Sequence, residues 1–353
     1  MTIKHLLMVG HYPLDALDRA PKVRIYRMAE AFARHVQVTL ITGTRRQRGP
    51  WLTEAWRHNL LKAVDAVYVE SASSTATVRD LLFLRHAAQK NLPVAVFVRD
   101  YYQKFPDLYP LHGAKSYIMA LLYGLTLRAY GAWADILYVP TQGLGDLLPK
   151  GSAQVRLLPP GAVTPVSLRH HETASAPWIL YVGAGGPYDG VELLIEAMGH
   201  VHRQCPEARL ALIMRRAEWP QARIPEYITV TEAAGPSLLP WYEKAAVAVI
   251  PRPDTAYTRL AWPVKLMDYL SYGIPVVVTD RSEAARFVER YRVGIHAAAN
   301  ARALAAALIA VISSPQYRQE LSMHAYDAVH QAHSWDHRAQ SVLADLDRLC
   351  EKA

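Results

Sequence analysis

The chain of 353 residues has only two cysteines, Cys205 and Cys350. They lie far apart and form no Cys-x-x-Cys pair. Free thiols in a reducing compartment are therefore expected, not a disulfide framework. Long apolar runs are also missing. No stretch of 18 or more apolar residues occurs, so no transmembrane helix is expected. The opening Leu6-Leu7-Met8-Val9 is too short for a signal peptide and has no cleavage site after it; it reads as a first buried strand. There is no low-complexity tract and no repeat at a solenoid period. No Gly-x-Gly-x-x-Gly follows the first strand, which argues against an NAD-dependent oxidoreductase. There is no Asp-x-Asp metal motif at a predicted strand end; Asp345-Leu346-Asp347 falls in the last predicted helix. His170-His171 has no neighbour at ligand spacing, so no metal is expected. Zinc-finger, RRM and homeodomain patterns are absent, and nucleic acid is not an expected partner.

What is present is positive charge and enough apolar content for real cores. The formal charge is +8 and the pI near 9.4, with 51% apolar and 20% charged residues. Such an excess suits nucleotide phosphates or lipid headgroups, and it equally suits a basic soluble surface. The length allows two domains of roughly 150 residues each.

Short apolar strands alternate with longer helical patterns. In the first half, strands are expected at 5–9, 36–41, 66–69, 94–98, 136–139 and 155–158, with helices clearest at 23–34, 77–89 and 115–133. A Pro-rich, aperiodic break follows Pro159-Pro160-Gly161. The pattern restarts with strands at 178–182, 209–213, 227–230, 247–250, 275–278 and 293–295. Helices are expected at 191–203, 238–245, 264–271, 282–289, 301–312, 316–330 and 335–349. Near-continuous apolar strands fit parallel sheets covered on both faces, and β/α alternation fits doubly wound folds.

The segment from Trp262 to Asp280 carries Pro263, Lys265, Asp268, Gly273, Pro275, Val276 and Val277. Asp268 stands about one helical turn after Lys265. A second segment runs Tyr181-Val-Gly-Ala-Gly-Gly-Pro-Tyr-Asp-Gly190, then an amphipathic helix. Strand, glycine turn and helix make a geometry that can cradle phosphate, because backbone N–H groups face the anion. Arg215, Arg216 and Arg252 sit at predicted strand ends, where ligands gather in doubly wound sheets.

On these motifs the chain resembles the retaining, family-4 (glycosyl transferases group 1) type of GT-B glycosyltransferases. The resemblance is strongest from Trp178 to Gly294 and loosest from Arg45 to Leu111. It extends through Val139-Pro-Thr-Gln-Gly-Leu, Leu157-Leu-Pro-Pro-Gly-Ala and Ala332-His-Ser-Trp335. It implies an α/β protein of GT-B architecture, two doubly wound Rossmann-like domains facing a cleft. The implied boundaries are an acceptor-side domain at 1–165, a linker at 166–177, a donor-binding domain at 178–334, and a final helix at 335–353 packing back toward the first domain.

The resemblance assigns Asp268 to the nucleotide ribose, where a carboxylate accepts two hydrogen bonds. Lys265, Gly183, Gly185, Gly186, Arg215 and Arg252 complete the expected donor site. The donor is a nucleotide-sugar, a UDP- or GDP-sugar, and no cofactor is expected. His11 and Tyr12 in the first βα loop, with Arg24 opening the next helix, are expected on the acceptor side. Arg99 and Asp100 are the catalytic candidates, Asp100 as acceptor of a hydrogen bond from the acceptor hydroxyl. Sugar transfer to a glycan or lipid-linked acceptor, with retention, follows as the expected reaction.

The chain departs from the family pattern at Leu260, Ala184, Asp189 and Arg99, where relatives often carry Glu or Asp, Arg, Lys and His. These departures keep open a binding protein that has lost catalysis. Another GT-B enzyme, such as a sugar-nucleotide epimerase, is also open. The apolar and aromatic stretch 115–130 reads either as a core helix or as a peripheral membrane contact. A cytoplasmic location, at the inner membrane face on the second reading, is expected.

Overall fold

The computed structural model describes residues 2–17, 19–57, 60–106, 109–165, 176–186, 188–220 and 223–351. Most of the linker expected at 166–177, with His170 and His171, lies outside the described residues. The chain divides into two compact units, residues 1–160 with 335–353, and residues 161–334.

In the first unit six parallel strands form one sheet: β1 (His5–Gly10), β2 (Gln37–Thr42), β3 (Ala66–Glu70), β4 (Val94–Phe97), β5 (Ile136–Val139) and β6 (Gln154–Leu157). Their spatial order is β2-β1-β3-β4-β5-β6. The chain thus leaves β1 in one direction for β2 and crosses back for β3. Helices α1 (Ala20–Ala33), α2 (Arg45–Arg57), α3 (Val78–Gln89), α4 (Gly113–Trp133) and α5 (Gln142–Asp146) fill the connections.

Leu7, Val9, Val67 and Val96 point to the face packed by Leu52 of α2, Phe83 of α3 and Leu127 of α4. Leu6, Met8, Tyr68 and Phe97 point to the other face, with Ile25 and Phe32 of α1 and Val342 and Leu346 of the final helix Trp335–Cys350. Alternate residues of one strand serve opposite cores, which is why strands such as Leu6-Leu7-Met8-Val9 are apolar throughout. The final helix is also pinned by hydrogen bonds: Asp347 Oδ1 accepts from Thr2 N at 2.7 Å, and Tyr138 Oη donates to Asp345 at 2.6 Å.

The second unit repeats the plan with β7 (Trp178–Val182), β8 (Arg209–Ile213), β9 (Ile228–Thr231), β10 (Ala245–Ile250), β11 (Val276–Val278) and β12 (Gly294–His296) in the order β12-β11-β10-β7-β8-β9. Its helices are α6 (Val191–Gln204), α7 (Leu239–Lys244), α8 (Lys265–Ser271), α9 (Glu283–Tyr291), α10 (Ala301–Ile312) and α11 (Pro315–Ala328), and the final helix is α12. Helices α6 and α10 cover one face; α8, α9 and α11 cover the other. Two doubly wound sheets of this kind are the GT-B architecture expected from the sequence.

Two helices go beyond the sequence pattern. Helix α2 has no counterpart in the sequence pattern. It opens Arg-Arg-Gln-Arg-Gly-Pro, holds Pro50 inside and shows little apolar content, yet Leu52 and Ala55 anchor it to the sheet. Helix α4 is a core helix on one side only. Tyr123, Thr126, Leu127 and Tyr130 are buried, while Tyr117, Ile118, Leu121 and Leu125 are exposed.

Candidate functional site

In each sheet the strand order reverses beside the first strand of the unit, between β1 and β3 and between β7 and β10. At such a switch point the loops after adjacent strands diverge to opposite faces and leave a crevice at the carboxyl ends. The candidate residues group at these two places.

In the second unit, the turn after β7 meets the loop after β10. Gly190 has φ +73°, and a Cβ there would stand 1.7 Å from the Pro251 carbonyl oxygen. Lys265, at the start of α8, reaches the same turn: its Nζ donates to Tyr181 Oη at 3.1 Å and lies 4.2 Å from that ring's centre. A Cβ on Gly183 would fall 2.3 Å from the Lys265 Nζ, so glycine there makes room for the ammonium. Burial, opposed by the charge of Asp189 at 3.9 Å and aided by nearby Arg252, brings the ammonium down to a pKa of about 8.

The glycine turn already binds anionic oxygens. Gly185 N donates to Glu218 Oε2 at 3.0 Å, and Gly186 N donates to Asp189 Oδ2 at 3.2 Å. These are N–H groups of the kind that a phosphate-cradling turn offers. Arg215 also pairs with Glu218 and is otherwise exposed. Arg252 is buried after β10, with Nη1 at 3.3 Å from the Ala261 carbonyl and 3.4 Å from Asp280 Oδ2. Burial raises the Asp280 carboxyl, and Arg252 opposes the rise. Asp268 lies partly buried on α8, near enough to Tyr242 and Tyr269 to raise both phenols after burial has done so.

In the first unit, His11 follows β1 and Glu70 ends β3. His11 N donates to the Glu70 carbonyl at 3.1 Å, and its ring Nδ1 accepts from Ala72 N at 3.3 Å. The other ring nitrogen lies 3.8 Å from Asp80. Burial lowers the His11 pKa to about 4, so the imidazole is neutral. Asp80 caps α3 together with Thr77 and takes two 2.8 Å hydrogen bonds from Arg48. Burial pushes its carboxyl up, but those hydrogen bonds and charges outweigh it and hold the pKa at about 2. Tyr12 is half-buried against the α1 face of the core.

Arg24, expected on the acceptor side, does not face solvent. It is 1% exposed, its Nε sits 2.9 Å from Glu70 Oε1, and its guanidinium stacks 3.5 Å from the centre of the Phe97 ring. Arg99 and Asp100 do not pair with one another. Arg99 turns back to Glu70 at 3.6 Å, while Asp100 Oδ2 accepts from Tyr102 Oη at 2.8 Å and Ser73 Oγ at 3.3 Å. Two guanidiniums thus share one carboxylate. Nη1 and Nη2 of Arg24, and Nε and Nη2 of Arg99, have no hydrogen-bond partner.

The sequence reading missed Glu70, Asp80, Tyr181, Glu218 and Asp280. Glu70 and Asp280 left a signal: each is a carboxylate at or just after the end of an otherwise apolar strand run, Ala-Val-Tyr-Val-Glu70 and Val-Val-Val-Thr-Asp280. Among the described residues, no group of three His, Cys, Asp or Glu side chains could hold a metal ion.

The fold and both switch-point sites define a GT-B-type α/β protein. Residues 176–314, which contain the whole Gly183, Arg252 and Lys265 assembly, match the family described as Glycosyl transferases group 1. No curated protein matches the chain. Among solved structures it is similar to sucrose-phosphate synthase from Thermosynechococcus elongatus, at TM-score 0.70 and 16% identity, over 99% of this chain and 100% of that one. WaaG, a glycosyltransferase involved in lipopolysaccharide biosynthesis, matches at TM-score 0.64 and 15% identity over 98% and 99%. The α,α-trehalose-phosphate synthase (UDP-forming) from Burkholderia xenovorans matches at TM-score 0.64 and 11% identity over 98% and 100%.

Proposed function

We propose that the chain transfers a sugar, with retention, from a nucleotide-sugar to a hydroxyl acceptor, a glycan or a lipid-linked sugar. The 161–334 unit holds the donor and the first unit the acceptor. The observation that carries the reading is the turn after β7. Its N–H groups bind carboxylate oxygens, and Lys265 is held against it through the space left by Gly183. A diphosphate in place of the Asp189 and Glu218 carboxylates gains the same donors and the ammonium, which stabilise negative charge as it develops on the leaving group. Asp268 receives the ribose hydroxyls. Asp100, oriented by Tyr102 and Ser73, accepts the hydrogen bond of the acceptor hydroxyl. The UDP-forming synthases and the UDP-bound relatives among the structural neighbours favour UDP over GDP.

The same two carboxylates favour a second reading, a nucleotide-sugar-binding protein without catalysis, because they compete with the diphosphate for the turn. A thermal-shift series with UDP, GDP, ADP, CMP and dTDP, with Asp268→Ala alongside, tests the donor site. Saturation near 100 times the dissociation constant stabilises by about 2.7 kcal/mol. A shift from one nucleotide that the variant loses supports the site, and no shift with any of them rejects it. Nucleoside diphosphate released from the matching sugar donor separates the transferase from the binding protein.

A further inference from the structure

We propose that the outer surface of the α2–α3–α4 layer docks on an anionic lipid bilayer. Helix α4 carries two opposed stripes. Tyr123, Thr126, Leu127 and Tyr130 are buried against the sheet. Tyr117, Ile118, Leu121, Leu122 and Leu125 form the other stripe, and Ile118 and Leu121 are 55% and 63% exposed. A soluble helix normally turns charge outward here, so a continuous large-apolar stripe marks a surface that another phase covers. On the neighbouring helix α3, Val78 and Leu82 are also exposed. The segment leading into α3 is tied to α4: Thr75 Oγ1 donates to the Met119 carbonyl, and Ala76 N donates to Thr126 Oγ1.

Charge selects the occupant. Exposed Lys115 and Arg128 bracket the α4 stripe, about 20 Å apart along the axis. The α4 sequence has no Asp or Glu. Helix α3 adds exposed Arg79 and Arg85, and its one acid, Asp80, is buried in its pair with Arg48. Helix α2 adds exposed Arg45, Arg57 and Trp51 against a single acid, Glu54. A second copy of this surface would set basic against basic, which disfavours a symmetric dimer through it. A bilayer of acidic phospholipid satisfies both features. The apolar stripe enters the acyl boundary while the cations meet the headgroups. Among the described residues no helix is long and apolar enough to cross a membrane, so the contact is peripheral. The inference does not depend on the donor reading.

Vesicle flotation of the full chain tests it, comparing pure phosphatidylcholine with phosphatidylcholine containing one-third phosphatidylglycerol, at low and high salt. The chain is expected to float with the anionic vesicles at low salt. The double variant Ile118→Ser/Leu121→Ser is expected to bind at least about tenfold more weakly, with an unchanged circular-dichroism melt. Lys115→Gln/Arg128→Gln, which leaves the apolar stripe intact, weakens binding and reduces its salt dependence. Three results would overturn the proposal. One is no flotation with anionic vesicles. Another is binding by both double variants that equals that of the unaltered chain. The third is a dimer in sedimentation that Ile118→Ser/Leu121→Ser dissolves, because a second copy would then cover the face.

Discussion

The Lys265 ammonium occupies space that a side chain at position 183 would take, since a Cβ on Gly183 would lie 2.3 Å from Nζ. Gly183 has ordinary backbone geometry and Lys265 is the flexible partner. Gly183→Ala is therefore expected to leave the fold intact and push the ammonium off the turn. Nucleotide affinity should fall about tenfold, as for a lost charge-assisted contact. Gly190 behaves differently. Its φ is +73° and its Cβ would meet the rigid Pro251 carbonyl at 1.7 Å. Gly190→Ala should destabilise the 161–334 unit by at least about 2 kcal/mol. Calorimetric titration and denaturant unfolding separate the two effects.

Nucleotide affinity should fall as pH rises through about 8. Burial, chiefly, holds Lys265 near that value, so the ammonium is charged below it and neutral above it. An anion binds the charged form, and bound diphosphate draws the apparent midpoint upward. In Lys265→Met the pH dependence above 8 should vanish and the affinity should sit at the wild-type high-pH level. A wild-type affinity that is flat from pH 7 to 10 would remove Lys265 from the site.

Asp189 faces the same ammonium from 3.9 Å and takes the Gly186 N–H. Asp189→Asn removes a negative charge from the place a diphosphate would enter. Affinity for nucleoside diphosphate should rise a few-fold, on the order of 1 kcal/mol for one charge at a partly solvated site. Uridine, which has no phosphate, should bind both forms equally.

Glu70 neutralises Arg24 and Arg99 where all three are buried or nearly so. Glu70→Gln keeps the shape but leaves two cations without an anion. A loss of about 3–5 kcal/mol is expected from breaking a buried ion pair on one side. Denaturant unfolding of the first unit measures it, and a loss below about 1 kcal/mol would contradict the geometry.

His11 should make the first unit acid-sensitive above the range of its carboxylates. Its folded pKa, about 4, lies below the ordinary 6.5 because burial disfavours the cation. The unfolded chain therefore binds the proton more tightly. Stability is complete above about pH 6.5 and declines until about pH 4, by roughly 3 kcal/mol. His11→Asn should abolish that portion of the decline. The further loss as Asp80 titrates toward about 2 should remain.

The central strands were legible because each is a short apolar run that fills both faces of a parallel sheet, as in Leu6–Val9 and Val276–Val278. Helix α2 was not legible, because Gly49, Pro50 and three early basic residues hide a helix that Leu52 and Ala55 anchor in the core. The motif Pro263 to Val277 marked Lys265, and the glycine turn marked Gly183, because local spacing carries both. Their partners could not be read. Tyr181 meets Lys265 across 84 positions, and Glu218 meets Gly185 across 33. Arg24 shows the limit in the other direction. Its place at a helix start suggested a ligand-facing cation, but the Glu70 carboxylate, 46 positions away, draws it into the core.

The sequence alone determined the alternation of β and α elements, and with it two doubly wound sheets, because apolar periodicity is a local property of the chain. Only the tertiary structure decided which charges meet. That depends on which strand ends lie side by side at the switch points, and on whether burial leaves a charge one partner or none.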